Sequence, residues 1–235
     1  MGLEPYNQKR RFDVTPEPAG QVRRKRRKSL SFVVQKHRAT QLHYDFRLEW
    51  DGVLLSWAVP KGPSLDPAVK RLAMMVEDHP LDYASFEGII PPGEYGGGTV
   101  MVWDRGVWIP EEADVGASLR KGELKFRLEG HKLAGSWVLV RTRGATSRSW
   151  LLIKHRDEYA GDRDIAEEEP RSVVSRRLLA EIAFDEGGDV KAAAGADPAG
   201  ALQELIADPK TSSRRPRRTP KVWSSNRTRR SDSTE

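Results

Sequence analysis

The stretch from Lys36 to Glu49, KHRATQLHYDFRLE, places imidazole, carboxylate and guanidinium groups at short, regular intervals. Read as a strand, its second half sends successive side chains to opposite faces. Leu42, Tyr44, Phe46 and Leu48 then form an apolar face that packs. His43, Asp45, Arg47 and Glu49 line the other face, about 6–7 Å apart along the strand. Imidazole and carboxylate are metal ligands, and guanidinium grips phosphate through paired hydrogen bonds. His37 precedes His43 by six residues and is near enough to return as a third ligand. The bland alternative is a solvated strand face of ordinary polar residues. The chain has no cysteine, so a metal here must be held by nitrogen and oxygen, which points to Mn, Mg, Fe or Zn.

A second cluster runs from Lys70 to Tyr83. By alternation Arg71, Ala73, Met75 and Glu77 share a face, and His79 and Tyr83 follow at a turn. Spacing alone does not choose among these, and a solvated strand end explains Glu77 and Asp78 equally well. Lys61 follows a rigid Pro-flanked loop, where it could reach a phosphate or simply stand in solvent. Gly93-Glu94-Tyr95-Gly96-Gly97-Gly98 superficially resembles a phosphate cradle. A strand pattern follows it rather than a helix, so hairpin or bulge glycines are the better reading. His131 and His155 sit in a Gly-flanked turn and at a strand end, and both read as structural.

The elements that must position these groups are short strands. Ser31–Gln35, His43–Trp50, Val53–Val59, Leu72–Val76, Thr99–Trp103, Val107–Ile109, Leu124–Leu128, Trp137–Arg141 and Trp150–Lys154 carry strand patterns between Gly, Pro and Asp turns. Asp51-Gly52 between apolar runs is a strong hairpin signal, because both turn positions need positive φ. The pattern predicts a mostly all-β fold, a compact antiparallel β-barrel with short helices and an extended, partly disordered C-terminal region. Four segments are expected: a basic, extended arm over 1–28; the barrel over 29–156; an acidic, helical extension over 157–207; and a disordered basic tail over 208–235. Val174, Leu178 and Ile182 recur at spacing four, which predicts a helix over 171–183. A second helix is predicted over 199–207, with Gly187-Gly188 and Ala192–Ala196 read as linker.

Composition narrows the partners. The 235 residues include 40 Lys and Arg against 34 Asp and Glu, a net charge of +6. The positive charge is clustered in Arg23–Lys28 and in the arginines between Arg214 and Arg230. Such runs favour a polyanion, usually nucleic acid, through counterion release. No stretch approaches the ~18 apolar residues of a membrane span. The first residues show no secretory pattern, so the cytoplasm is the expected compartment.

The run QKHRATQLHYDFRLEWDGVLLSWAVPKGPSLDP, continued by KRLAMMVEDHPLDYASFEGIIPPGEYGGGTVMVWDRGVW, closely resembles the 3′-phosphoesterase domain of bacterial DNA ligase D. GHKLAGSWVLVR, SWLLIK and the upstream YNQKRRFDVTPEP fit it too, so the resemblance covers roughly residues 5–156. It implies a small β-barrel enzyme using Mn²⁺, with Co²⁺ or Zn²⁺ as other divalent choices. Such an enzyme removes a 3′-terminal ribonucleoside, then the remaining 3′-phosphate, and leaves a 3′-OH for double-strand break repair. By position, the resemblance implies His37, His43 and Asp45 as metal ligands. It implies Arg47 and His79 at the scissile phosphate with Tyr83 nearby, and Arg71, Glu77, Lys61 and Gln35 in the active-site region. Arg10 and Glu17 match functional positions of the arm. The family commonly has an acid where this chain has Arg11, which bears on ribonucleoside removal more than on phosphate removal. The resemblance further implies a stand-alone monomer acting on DNA 3′ ends, with Ku or a separate ligase or polymerase as partners. Two other readings stay open: a non-haem iron(II) oxygenase built on His43, Asp45 and a distant His131 with Arg141, and a non-catalytic DNA-binding or Ku-recruited module.

Overall fold

A computed structural model describes residues 2–22, 29–143 and 147–207. The basic run 23–28 and the tail 208–235, where the sequence predicts an extended arm and disorder, lie outside the described residues. The core is a closed antiparallel barrel. Its strands are β1 (Leu30–Arg38), β2 (Leu42–Trp50), β3 (Val53–Val59), β4 (Arg71–Met75), β7 (Gly98–Pro110), β8 (Glu123–Gly130), β9 (Ala134–Arg141) and β10 (Ser149–Lys154). They follow the order β1-β2-β3-β4-β10-β9-β8-β7, and β7 closes the ring by pairing with β1. The two-residue strand β5 (His79–Pro80) adds to β3, and β6 (Gly88–Ile90) adds to β7.

Asp51 and Gly52 take φ of 47° and 81°, the positive values that a tight β2–β3 hairpin demands. The sequence pattern breaks Thr99–Ile109 into two strands at Asp104-Arg105-Gly106. The structure runs one 13-residue strand through the break. It can do so because the buried Asp104 carboxylate accepts from the backbone N–H groups of His131, Lys132 and Leu133, so a polar residue satisfies the β8–β9 turn.

One face of β1–β3 points into the barrel. Phe32, Phe46 and Trp57 lie on it, and Phe46 meets Phe126 of β8 across the interior with ring centroids 5.9 Å apart. The other face of the same strands carries His37, Asp45 and Arg47. It is not solvated, because residues 2–22 and the segment 77–86 fold over it. Part of the arm is helical: α1 spans Glu4–Gln8, with Pro5 near its start, and buries Tyr6.

The segment after β10 packs on the barrel. It holds α3 (Ile165–Glu168), α4 (Leu179–Asp185), α5 (Val190–Ala194) and α6 (Ala199–Ala207), while α2 (Val115–Lys121) lies between β7 and β8. Leu178, Leu179, Ile182 and Ala193 are fully buried, and Lys36 of β1 meets Asp197 at 3.5 Å. The helix expected over 171–183 begins only at Leu179. Ser172 accepts through its hydroxyl from the N–H groups of Val174 and Ser175, and Arg176 takes φ 65°, so a turn replaces the first two helical turns. The alanines expected to be linker form α5, because the Asp189 carboxylate caps it through the Ala192 N–H. The helix expected over 199–207 has those bounds.

Candidate metal centre

The β1–β2 hairpin register brings the ligand types together. His37 pairs with His43 and Gln35 with Asp45, so all four side chains leave the sheet on one face. His37 Nδ1 lies 3.7 Å from one Asp45 oxygen, and His43 Nε2 lies 3.7 Å from the other. The potential ligand atoms of His37, His43 and Asp45 all fall within 4.8 Å of one another. The outward nitrogens are also oriented. His37 Nε2 donates to the Gly96 carbonyl at 2.8 Å, which leaves the Nδ1 lone pair facing Asp45. His43 Nδ1 donates to the Gln41 carbonyl at 3.2 Å, which leaves Nε2 facing Asp45. Metal-bound imidazoles are held in this way, with the far N–H fixed by a carbonyl or carboxylate. The donor set fits a divalent ion of nitrogen/oxygen preference.

Arg47 is almost wholly buried beside this group. Its Nη2 donates to Asp45 at 2.9 Å, its Nε to Gln35 Oε1 at 2.8 Å and its Nη1 to Ser56 Oγ at 2.8 Å. Gln35 is fixed in turn by donating to the Tyr83 and Phe86 carbonyls. Burial pushes the Asp45 carboxyl up, but Arg47 and the two histidines more than offset that and hold it well below the usual carboxylate range. Burial lowers the His43 pKa, with the neighbouring Asp45 partly opposing, so the imidazole is neutral and able to ligate at neutral pH.

The arm supplies a second tier. Arg10 has only 4% of its side chain exposed; its Nε donates to Glu17 at 2.8 Å and its Nη1 reaches Glu77 at 3.4 Å. Its Nη2 donates to His79 Nε2 at 3.2 Å, while His79 Nδ1 donates to the Glu77 carbonyl at 2.9 Å. His79 is thus held neutral: burial lowers its pKa far below the ordinary value, and the Arg47 and Arg10 charges push the same way. Tyr6 packs edge-on to His79 at 5.0 Å, and Tyr83 lies 4.9 Å from both His79 and the Arg47 guanidinium. Lys9 pairs with Glu77 at 3.0 Å, and Arg11 pairs with Glu94.

Ten of the twelve residues singled out from the sequence therefore meet in one connected cluster: His37, His43, Asp45, Arg47, Gln35, Arg10, Glu17, Glu77, His79 and Tyr83. Two do not join it by any bond. Arg71 shares its strand face with Ala73, whose partner Trp150 packs on Trp57 in the interior, and its Nε is buried without a hydrogen-bond partner among the described residues. Lys61 is exposed, in the loop that leaves β3 just after Val59, the partner of Tyr44. His131 lies in the β8–β9 turn and Arg141 ends β9; neither takes part in the ligand group, so the distant histidine of the oxygenase reading is absent from it. Sequence reasoning missed Ser56, the Gly96 carbonyl and Tyr6. Ser56 was legible in principle, since alternation along β3 sets it opposite Arg47. Nothing local marks a backbone carbonyl or an arm tyrosine.

Fold and site define a class: an antiparallel β-barrel with a buried His–His–Asp group beside an arginine on its outer face. Within it, residues 35–141 match the DNA Ligase D 3′-phosphoesterase domain family, and that region belongs to the family. It is 57% identical over 183 residues to the multifunctional non-homologous end joining protein LigD of Pseudomonas aeruginosa, a match covering 75% of this chain and 22% of that protein. It is 42% identical over 156 residues to the non-homologous end joining DNA repair protein LigD of Mycobacterium tuberculosis, covering 66% and 20%. The chain spans about a fifth of the length of these relatives.

Proposed function

We propose that this protein is a divalent-metal phosphoesterase that trims DNA 3′ ends, removing terminal ribonucleosides and 3′-phosphates to leave a 3′-OH for non-homologous end joining. The observation that carries the reading is the His37–His43–Asp45 group, with its imidazole lone pairs turned inward and Arg47 fixed against Asp45. Mn²⁺ is the ion we assign, with Co²⁺ or Zn²⁺ as substitutes. When bound, the ion supplies Lewis-acid charge and an acidified water. The remaining work falls to side chains. Arg47 holds a full positive charge in a dry setting, where it neutralises charge growing on phosphoryl oxygens. Its bonds to Gln35 and Ser56 prevent it from collapsing wholly onto Asp45. Arg10, aimed by Glu17, presents a second cation next to His79. His79 Nε2 accepts from Arg10, so it can donate to a leaving oxygen only after the substrate draws Arg10 away and a proton is taken up. Lys61 is read as an outer contact to the strand; Arg71, whose strand face turns to the barrel interior, is assigned to the active-site region by family position alone.

DNA 3′ ends are the proposed partner, in keeping with the net charge of +6. Ku and a ligase or polymerase are proposed partners in the pathway, the cytoplasm is the proposed compartment and a monomer the proposed state. No described helix is long and apolar enough to cross a membrane. The test is incubation with Mn²⁺ of two primer-templates, one ending in a single ribonucleotide and one in a 3′-phosphate. Both should yield 3′-OH ends. Release of phosphate without ribonucleoside removal would confine the chemistry to the monoester, the step Arg11 leaves intact. Neither product would remove the reading.

A further inference from the structure

We infer that Tyr95 is the platform on which the terminal base of the substrate stacks, so that it positions the 3′ nucleotide over the metal centre. The inference rests on the 3′-end reading above and assigns its substrate contact. Tyr95 is 48% exposed, although it belongs to the loop that orients a metal ligand: the carbonyl of the next residue, Gly96, accepts from His37. Tyr95 thus keeps about half of its ring open to a partner one residue from the carbonyl that orients His37.

The loop is built to hold that ring still. Gly93 and Gly96 take φ of 89° and 79°, and Gly98 takes 149°. Glu94 N–H donates to the Pro91 carbonyl at 3.2 Å and Gly97 N–H to the Glu94 carbonyl at 3.0 Å. Arg11 of the arm clasps Glu94 from the other side. Cations surround the ring. Lys9 Nζ stands 4.5 Å from its centroid and also donates to its hydroxyl, and the Arg10 guanidinium lies 5.6 Å away. A fixed aromatic ring flanked by cations is what an unpaired nucleobase and its phosphate require, and every base has a face that can stack. Phe12, an exposed aromatic of the arm, packs 6.0 Å from Tyr6. Tyr159 and Phe184, also exposed, belong to the segment after β10.

The test compares wild type, Tyr95→Phe and Tyr95→Ala on two fluorescein-labelled oligonucleotides with 3′-phosphates. One ends in a nucleotide and the other in an abasic sugar. Dissociation constants are read by anisotropy without metal, so no cleavage intervenes. Base stacking on an aromatic ring predicts that Tyr95→Ala weakens binding of the complete end about tenfold. Tyr95→Phe should keep wild-type affinity, and all three proteins should bind the abasic end alike. Equal weakening of both ends by Tyr95→Ala, or none at all, would overturn the assignment. A Mn²⁺ cleavage assay of wild type run alongside separates the two readings. If wild type cleaves and the stacking signature is missing, only the role of Tyr95 fails; if wild type does not cleave, the 3′-end reading fails.

Discussion

Arg47 is the side chain on which the electrostatics of the centre turn. Three of its N–H groups are spent on Asp45, Gln35 and Ser56, and a lysine cannot reproduce that fork. We predict that Arg47→Lys lowers kcat by about 10²–10³-fold, the usual loss for a transition-state donor, while Mn²⁺ affinity changes far less. Loss of Mn²⁺ binding in proportion to activity would make Arg47 a scaffold for Asp45 instead. His79 supplies a pH signature. Burial, then Arg47 and Arg10, hold its folded pKa well below the unfolded value of ~6.5. Between those two values the unfolded chain binds a proton that the folded chain refuses. Stability is therefore full above ~6.5 and declines as pH falls below it. Metal-free protein should melt lower at about pH 5 than at about pH 7, and His79→Gln should flatten that decline; an unchanged slope would mean the histidine does not titrate with unfolding. At this scale the sequence was most readable where alternation governs. His43, Asp45 and Arg47 share a face as strand geometry demands. What alternation could not tell was that this face is covered, since the cover comes from residues 2–22 and 77–86, far away in sequence.

Among the elements, the β1–β2 hairpin sets the ligands and the 91–98 loop fixes one of them. Gly98 is the tightest point of that loop: with φ 149°, a Cβ there would sit 2.1 Å from the Arg38 carbonyl oxygen. Gly98→Ala should cost about 1–3 kcal/mol through strain, a fall of several degrees in Tm at ~2–4 °C per kcal/mol. It should also weaken metal binding, because Arg38 directly follows His37. A Tm within a degree of wild type would show the loop to be softer than its geometry states. Strands and hairpins were visible in the sequence because apolar alternation and Asp51-Gly52 are local signals. The helix over 171–183 misled because Val174, Leu178 and Ile182 do have helical spacing. The serine turn at Ser172 and the positive φ of Arg176 override it, and Val174 ends exposed. The glycine loop runs into a strand, as the pattern after it indicates, yet its use as an acceptor for His37 is a tertiary fact.

Across the whole molecule, the segment after β10 is bound into the barrel. Trp103 donates its indole N–H to the Glu169 carbonyl, Arg38 donates to the Ala192 carbonyl, and Asp197 faces Lys36. Lys36 and Asp197 are both buried, and burial shifts each toward its neutral form, the lysine pKa down and the aspartate pKa up, against their mutual attraction. Removing one charge strands the other. Asp197→Asn should destabilise by about 3–5 kcal/mol, or roughly ten degrees in Tm, and Lys36→Met with Asp197→Leu should recover most of it. A single substitution without effect would mean water reaches the pair. Composition hinted at a nucleic-acid partner, but the basic runs that carry most of that hint lie outside the described residues. The described chain shows instead that arginines and lysines of the arm, Lys9, Arg10 and Arg11, converge beside the ligand group.

We propose that His37, His43 and Asp45 hold one divalent ion that serves 3′-end cleavage. It is tested most directly by titrating Mn²⁺ into wild type and Asp45→Ala, following bound ion by electron paramagnetic resonance and phosphate release from a 3′-phosphorylated primer-template. Wild type should bind one Mn²⁺ tightly per chain, with release that saturates as that site fills, and Asp45→Ala should lose both. Phosphate release by Asp45→Ala at the wild-type rate, or a wild type that cleaves without binding the ion, would contradict it.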